Sequence, residues 1–315
     1  MMAMSAYHSG ELAVQARAGT TERARMAERG IRDAMPEQHR AFFGQLPFVV
    51  AACVDGQGQP WASILAGPPG FMATPTPQRL DVAILPPPGD PLADTLALGR
   101  PIGLLGIEQH TRRRNRLNGT VVALGEEGFS VTVGQSFGNC PKYIQAREAT
   151  FVPGLRQRGS IVPLASLDSA ARQIIGNADT LFIATAHPDG SGRWPAHGAD
   201  ASHRGGRPGF VRVNADGCLI LPDFSGNGFF NTFGNLQLEP RACLLFVDFA
   251  TGSLLQVAGE AQVIWSGQDL QGFAGAERLL QLTPRLIIRQ ESALDLVWGA
   301  AEAAPQLALT GTWQT

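Results

Sequence analysis

Eleven residues, 199–209, place a hydroxyl, an imidazole and two guanidiniums among glycines: Ser202, His203, Arg204 and Arg207 with Gly205, Gly206 and Gly209. Glycine lets backbone come close to a ligand, and the forked donors of arginine suit phosphate oxygens. A strand-like stretch, 218–222, then leads into Asp223-Phe224-Ser225-Gly226-Asn227, the pattern of a strand-to-helix turn with Ser225 or Asn227 as N-cap. The N–H groups at a helix start favour an anion, and Ser225, Asn227 and Asn231 add neutral donors. The chemistry these residues suit is the cradling of a phosphate; the plainer reading is an arginine-containing loop before a capped helix.

Other polar groups cluster earlier. The run Arg112-Arg113-Arg114-Asn115-Arg116 reads first as a solvated strand edge that blocks aggregation. Gln135 and Ser136 fall where a strand, 129–133, is expected to hand over to a helix opened by Pro141, a place from which amide and hydroxyl can meet a heteroaromatic ring edge. Cys140 next to Lys142 invites a nucleophile, but no general base stands beside it, so a packed thiol is expected. The six histidines lack H-x-x-x-H or H-E-x-x-H spacing, which gives a metal site no support; His197 and His203 remain as residues that flank a ligand or, by default, lie on loop surfaces. No G-x-S-x-G elbow, P-loop or G-x-G-x-x-G fingerprint is present, which removes serine hydrolase, P-loop NTPase and Rossmann dehydrogenase.

The elements that must hold these groups read as β-rich. The chain has 315 residues, 44% hydrophobic and 17% charged, the balance of a packed globular protein. Its 37 Gly and 22 Pro exceed what a helical bundle tolerates. Net charge is −2, so non-specific nucleic-acid or membrane binding is not expected. Four dispersed cysteines without a C-x-x-C pair, and no signal-like or membrane-length apolar run, suggest reduced thiols in the cytoplasm. A surface helix is expected over 20–40, then strands at 48–54, 61–65, 80–85, 102–107, 120–124 and 129–133, in an antiparallel pattern.

After a helix-like stretch at 165–177 the succession starts again. Val50-Ala51-Ala52-Cys53 is echoed by Ile183-Ala184-Thr185-Ala186, Asp55-Gly56 by Asp189-Gly190 and Trp61 by Trp194. Pro69-Gly70-Phe71 answers Pro208-Gly209-Phe210, Asp90 to Leu96 answers Asn227 to Phe233, and Leu117-Asn-Gly119 answers Val257-Ala-Gly259. Six matches in one order predict two copies of a small β-barrel: an N-terminal helical or extended segment (1–40), a first barrel (41–160) and a second with C-terminal helices (161–315). Two such barrels are expected to pack through a pseudo-two-fold interface whose pockets draw residues from both. The copies differ at the cradle: the first has Asp90 and Asp94 where the second has Asn227 and Asn231, and carboxylates there would repel a phosphate.

With these residues in view the chain resembles the flavin-nucleotide-binding proteins related to pyridoxamine 5′-phosphate oxidase, with the FMN-binding split-barrel fold. The resemblance lies in residues 7–19 (Tyr7-His8-Ser9-Gly10-Glu11 onward), Gly138-Asn-Cys-Pro-Lys-Tyr-Ile-Gln145, 200–210, Pro222-Asp-Phe-Ser-Gly-Asn227 and Asn231-Thr-Phe-Gly-Asn235. It implies a mainly β fold of two tandem split barrels packed as a pseudo-dimer, with FMN at their interface. It also implies FMN-dependent oxidoreductase chemistry on a small-molecule substrate. By position the cofactor set is Ser202, His203, Arg204, Arg207, Ser225, Asn227 and Asn231 from the second copy, and Gln135 and Ser136 from the first. One FMN per chain and a possible homodimer are expected. Where many relatives carry a basic residue after the strand this chain has Phe224 and Gly228, which implies weaker phosphate affinity. The alternatives are a non-catalytic flavin carrier and a haem-binding split barrel, with His187, His197 or His203 as ligand.

Overall fold

The computed structural model describes residues 5–189 and 195–313. Three helices, α1 (Ser9–Arg17), α2 (Thr21–Ala27) and α3 (Glu37–Gln45), precede β1 (Phe48–Val54), β2 (Pro60–Ala66), β3 (Met72–Thr76) and β4 (Arg79–Val82). A one-turn helix α4 (Pro91–Thr95) leads to β5 (Pro101–Glu108), β6 (Arg113–Leu124) and β7 (Phe129–Gly138). The chain crosses over through β8 (Ala149–Phe151), β9 (Ile161–Leu164) and α5 (Ser169–Asn177) to β10 (Thr180–Ala186), β11 (Ala199–Gly205), β12 (Arg212–Val213) and β13 (Leu219–Phe224). Then come α6 (Asn231–Leu238), β14 (Arg241–Asp248), β15 (Ser253–Ile264), α7 (Gln268–Gln271), β16 (Ala276–Gln290) and β17 (Leu296–Trp298).

The two large sheets have one topology. The first runs β2-β1-β5-β6-β7-β4-β3 and the second β11-β10-β14-β15-β16-β13-β12, all antiparallel, with a helix between the fourth and fifth strands of each half. Even the irregularities coincide: β6 bulges between Asn118 and Gly119, and β15 between Ala258 and Gly259. A Cβ on Gly119 would lie 2.1 Å from Thr132 O and one on Gly259 2.0 Å from Thr283 O, so each bulge needs its glycine.

Alternation along the central strands explains their unbroken apolar runs. Val49, Ala51 and Cys53 of β1 point into the first barrel's core, whereas Phe48, Val50 and Ala52 point into a core shared by the two sheets. In β10, Leu181 and Ile183 fill the second barrel while Phe182 and Ala184 face the shared core. Strands buried on both faces carry no polar alternation. The backbones approach closely there: a Cβ on Gly103 of β5 would lie 2.4 Å from Ala199 O of β11.

Several expectations shift. The register places Ala51, not Val50, at the position of Ile183, a one-residue slip that exchanges the two faces. Trp194 and Gly190 lie outside the described residues, and the register makes Asp200 of β11 the equivalent of Trp61 in β2. The helix expected over 20–40 is broken into α2, a 3-10 turn (Glu28–Gly30) and α3, because Pro36 is the N-cap of a new helix and does not end an old one. β6 starts at Arg113, so the arginine run is strand interior between β5 and β7 rather than an edge. β7 continues through Gln135 and Ser136 to Gly138, and no helix opens at Pro141 among the described residues. In place of C-terminal helices, β17 pairs with β8 and a 3-10 turn (Pro305–Leu309) ends the described chain. No described helix is long and apolar enough to cross a membrane.

Candidate functional site

A cleft of about 870 Å³, open to solvent, lies where β6 and the 139–143 segment of the first half meet β11, β13, α6 and β16 of the second. Its floor is built from alternate residues of two strands. Arg116 of β6 donates to Asp200 (2.9 Å) and to the Ser202 hydroxyl, and Asn118 donates to the same carboxylate at 2.7 Å. Thr232 at the start of α6 donates to Ser202 Oγ at 3.0 Å. Arg116 Nε is buried and has no partner among the described residues.

One wall carries Arg204 and Arg278 on either side of Asp223, at 3.5 and 2.7 Å; Arg278 also pairs with Glu277 and lies 4.8 Å over the Phe230 ring. Burial pushes the Asp223 carboxyl up, and the two guanidiniums pull it back. Opposite, Arg114 has no carboxylate partner among the described residues: its Nε donates to Cys140 O at 2.8 Å and its Nη1 to His203 O at 3.5 Å. Desolvation, then Arg204, pushes the Arg114 guanidinium down to about 9, so it stays a cation at neutral pH with its charge unmatched. Six cationic side chains line the cleft, Arg23, Arg114, Arg116, Lys142, Arg204 and Arg278, against the carboxylates of Asp223 and Glu277, with Asp200 beneath Arg116. Such a surplus suits an anion of more than one charge.

Of the nine residues expected from sequence, Ser202, His203, Arg204, Asn227 and Asn231 line this cleft. Four do not. Arg207 turns away to donate to Leu307 O (2.9 Å), and Ser225 stands beside the cleft without lining it. Gln135 donates to Ala6 O, and Ser136, fully buried, meets His39 Nδ1 at 2.9 Å; both sit inside β7 because the strand does not end where expected. The helix start also shifts: α6 begins at Asn231 with Phe230 as its N-cap at φ 60°, without a side-chain cap, so neither Ser225 nor Asn227 serves that role. Asn227 instead accepts from Phe229 N and reaches Asn139 at 3.3 Å. His203 is buried, Nε2 unpartnered, and burial with Arg114 and Arg204 nearby pushes its pKa well down, so the ring is neutral.

Arg114, Arg116, Arg278 and Thr232 were not expected. The period-two spacing Arg114, Arg116, Asn118 carries the signal for the first pair, since in a strand these share a face. The cleft is braced from behind by α1, which lies against α6 so tightly that a Cβ on Gly10 would sit 2.2 Å from Gly234 O. Glu11, buried there, accepts from Asn231 and from His8 N, and burial, with Asp200 nearby, raises its carboxyl to about 8. His8 Nε2 meets Asn235 Oδ1 at 3.0 Å, and Asn235 donates to Asp200 at 3.2 Å, which ties α1 to the carboxylate under Arg116.

The pseudo-symmetric cleft, about 510 Å³, has the opposite character. Leu65 stands at the register position of Arg204, and Leu254 and Gln256 at those of Arg114 and Arg116. Ser63 matches Ser202, but its hydroxyl donates to Asp90, which also accepts from Leu92 N and Gln290 Nε2, both at 2.8 Å. Asp90 is buried and its pKa raised by that burial. Asp94, the other acid expected there, is exposed and lines neither cleft. Among the described residues no group of His, Cys, Asp or Glu is arranged to hold a metal, and all four cysteines are free.

The model of the pyridoxamine 5′-phosphate oxidase family matches residues 167–301, the span of α5 through β17 that carries the strand and helix of the arginine cleft. The second half of the chain is similar to the pyridoxamine 5′-phosphate oxidase family. No curated protein matches it. Among solved structures it is similar to a pyridoxamine 5′-phosphate oxidase-related, FMN-binding protein from Nostoc punctiforme (17% identity, 44% of this chain and 97% of that one, TM-score 0.28). It is also similar to HutZ, a haem storage protein from Vibrio cholerae (13%, 39% and 95%, TM-score 0.27), and to an F420 reductase (13%, 40% and 98%, TM-score 0.27). The family match covers the second half alone, and the first half shares the sheet order of the second.

Proposed function

We propose that the arginine cleft binds one FMN per chain and that the protein is an FMN-dependent oxidoreductase acting on a small molecule. The observation that carries this reading is the contrast between two equivalent clefts: one keeps Arg114, Arg116, Arg204 and Arg278 around Ser202, and the other has leucines, a glutamine, a buried Asp90, and Arg158 with Asp295. A phosphate monoester carries about −1.5 to −2 charges at neutral pH, which matches the surplus cations of the first and finds no such surplus in the second. The donor set fits FMN: Arg114, Arg204 and Ser202 would hold the phosphate, and Asn139, whose Nδ2 is buried without a partner, offers a donor to a ring edge. When bound, FMN supplies hydride transfer, and the protein's share is orientation and electrostatics. Arg116, held on Asp200, and Arg278, held on Asp223, present fixed cations; α1 keeps Asn231 in place through Glu11.

His203 supports a second reading, haem binding, because its Nε2 has no partner among the described residues beside the cleft. That atom is buried and the ring packs edge-on against Phe182 at 5.8 Å, so iron ligation would require the ring to leave its pocket. FMN is therefore favoured. The absorbance spectrum of the purified protein separates the two: flavin bands support the first reading and a Soret band overturns it. Anaerobic bleaching by NAD(P)H then distinguishes an oxidoreductase from a flavin carrier.

A further inference from the structure

A separate cavity of about 700 Å³ shares no lining residue with the arginine cleft. It lies where β1 begins, β5 ends and β8 passes. Phe48, Ile107 and Phe151 give it apolar walls, Glu108 and Glu148 give it carboxylates, and no Lys or Arg lines it. Gln109 stands in this cavity only 2% exposed, and neither its amide oxygen nor its amide nitrogen has a hydrogen-bond partner among the described residues.

The turn does not need that side chain. The 3-10 turn Gln109–Thr111 is closed by backbone, Arg112 N donating to Gln109 O at 3.0 Å, and the adjacent Glu108 is occupied by Gln45 and Thr111. A buried polar group left without a bond is costly, and an apolar side chain of similar size would avoid that cost. A primary amide with neither end bonded among the described residues is instead matched to a partner that presents a donor and an acceptor side by side, which the buried side chain meets by turning into the cavity.

We propose that this cavity binds an uncharged planar heterocycle through a lactam edge, an N–H beside a C=O, with Gln109 making the reciprocal pair of hydrogen bonds. The aromatic rings of Phe48 and Phe151 suit a flat ligand, and the two carboxylates, faced by the imidazole of His110 but by no Lys or Arg, disfavour an anion. The inference does not depend on flavin binding.

Uracil is the probe, and its 6-carboxylate, orotate, the charged control carrying the same edge. Titration calorimetry on the 315-residue chain is expected to give saturable uracil binding, with orotate at least tenfold weaker. Uracil should also raise the melting temperature. Gln109→Leu is expected to weaken uracil at least tenfold while leaving FMN affinity unchanged; should that variant fold poorly, the uracil-orotate comparison on the unaltered chain decides alone. Absence of saturable uracil binding, orotate binding as tight as uracil, or full uracil affinity in a folded Gln109→Leu protein would overturn the proposal.

Discussion

Replacing Arg204 with alanine separates ligand recognition from folding. In the protein Arg204 lies 3.5 Å from Asp223, donates to His203 O at 3.1 Å and sits 5.5 Å over the Phe233 ring. Its removal leaves Asp223 paired with Arg278 at 2.7 Å, so no buried carboxylate is orphaned. It also relieves Arg114, whose charged form Arg204 disfavours. The ligand-free protein should therefore melt within a few degrees of the parent. A hydrogen bond to a charged group is worth about 1.5–3 kcal/mol, and at 1.4 kcal/mol per decade this is about a 10- to 150-fold rise in the Kd for FMN. Quenching of flavin fluorescence on titration measures it. Arg207→Ala is the control: that guanidinium bonds Leu307 O outside the cleft, and its loss should change Kd by less than about twofold. If Arg204→Ala bound FMN as well as the parent, or Arg207→Ala bound it as poorly, the phosphate would lie elsewhere.

Other outcomes follow from the same geometry. Glu11 ionises only near pH 8, raised by burial from 4.5, so its contribution to stability is full below about pH 4.5 and is lost as pH rises toward 8. Glu11→Gln should melt progressively above the parent across that window, with no further gain at higher pH; equal melting curves from pH 5 to 9 would refute a buried acid there. Gly234→Ala adds a Cβ 2.4 Å from Glu11 Cγ and 2.6 Å from its backbone nitrogen. The roughly 1 kcal/mol that alanine gains in a helix is outweighed by overpacking of about 1–3 kcal/mol, so thermal melts should show net destabilisation and FMN affinity should fall as α6 shifts.

Much of the fold was legible because its signals are local and doubled. The Pro-Gly-Phe corners and the paired glycines at 119 and 259 recur in order, and the last two mark bulges whose crowding leaves no room for a side chain. Register was less legible: β1 and β10 are apolar on both faces, so Val50 and Ala51 look equally fit to match Ile183. The second-half donors at 202–204 were visible because they stand in one segment. Arg114 and Arg116 were hidden by their neighbours, since a run of arginines reads as solvated until the partner strands on both sides are known. Gln135 and Ser136 misled for the converse reason: polar side chains deep in a strand look like its end, yet here they are satisfied by Ala6, just before α1, and by His39 of α3. Arg278 needed the whole topology, because only the return of β16 beside β13 brings it to Asp223.

A crystal structure of the protein grown with excess FMN tests the central claim most directly. The account predicts a single flavin per chain, its phosphate in contact with Arg114, Arg204 and Ser202. A flavin seated beside Asp90 in the mirror cleft, or one in each cleft, would contradict it.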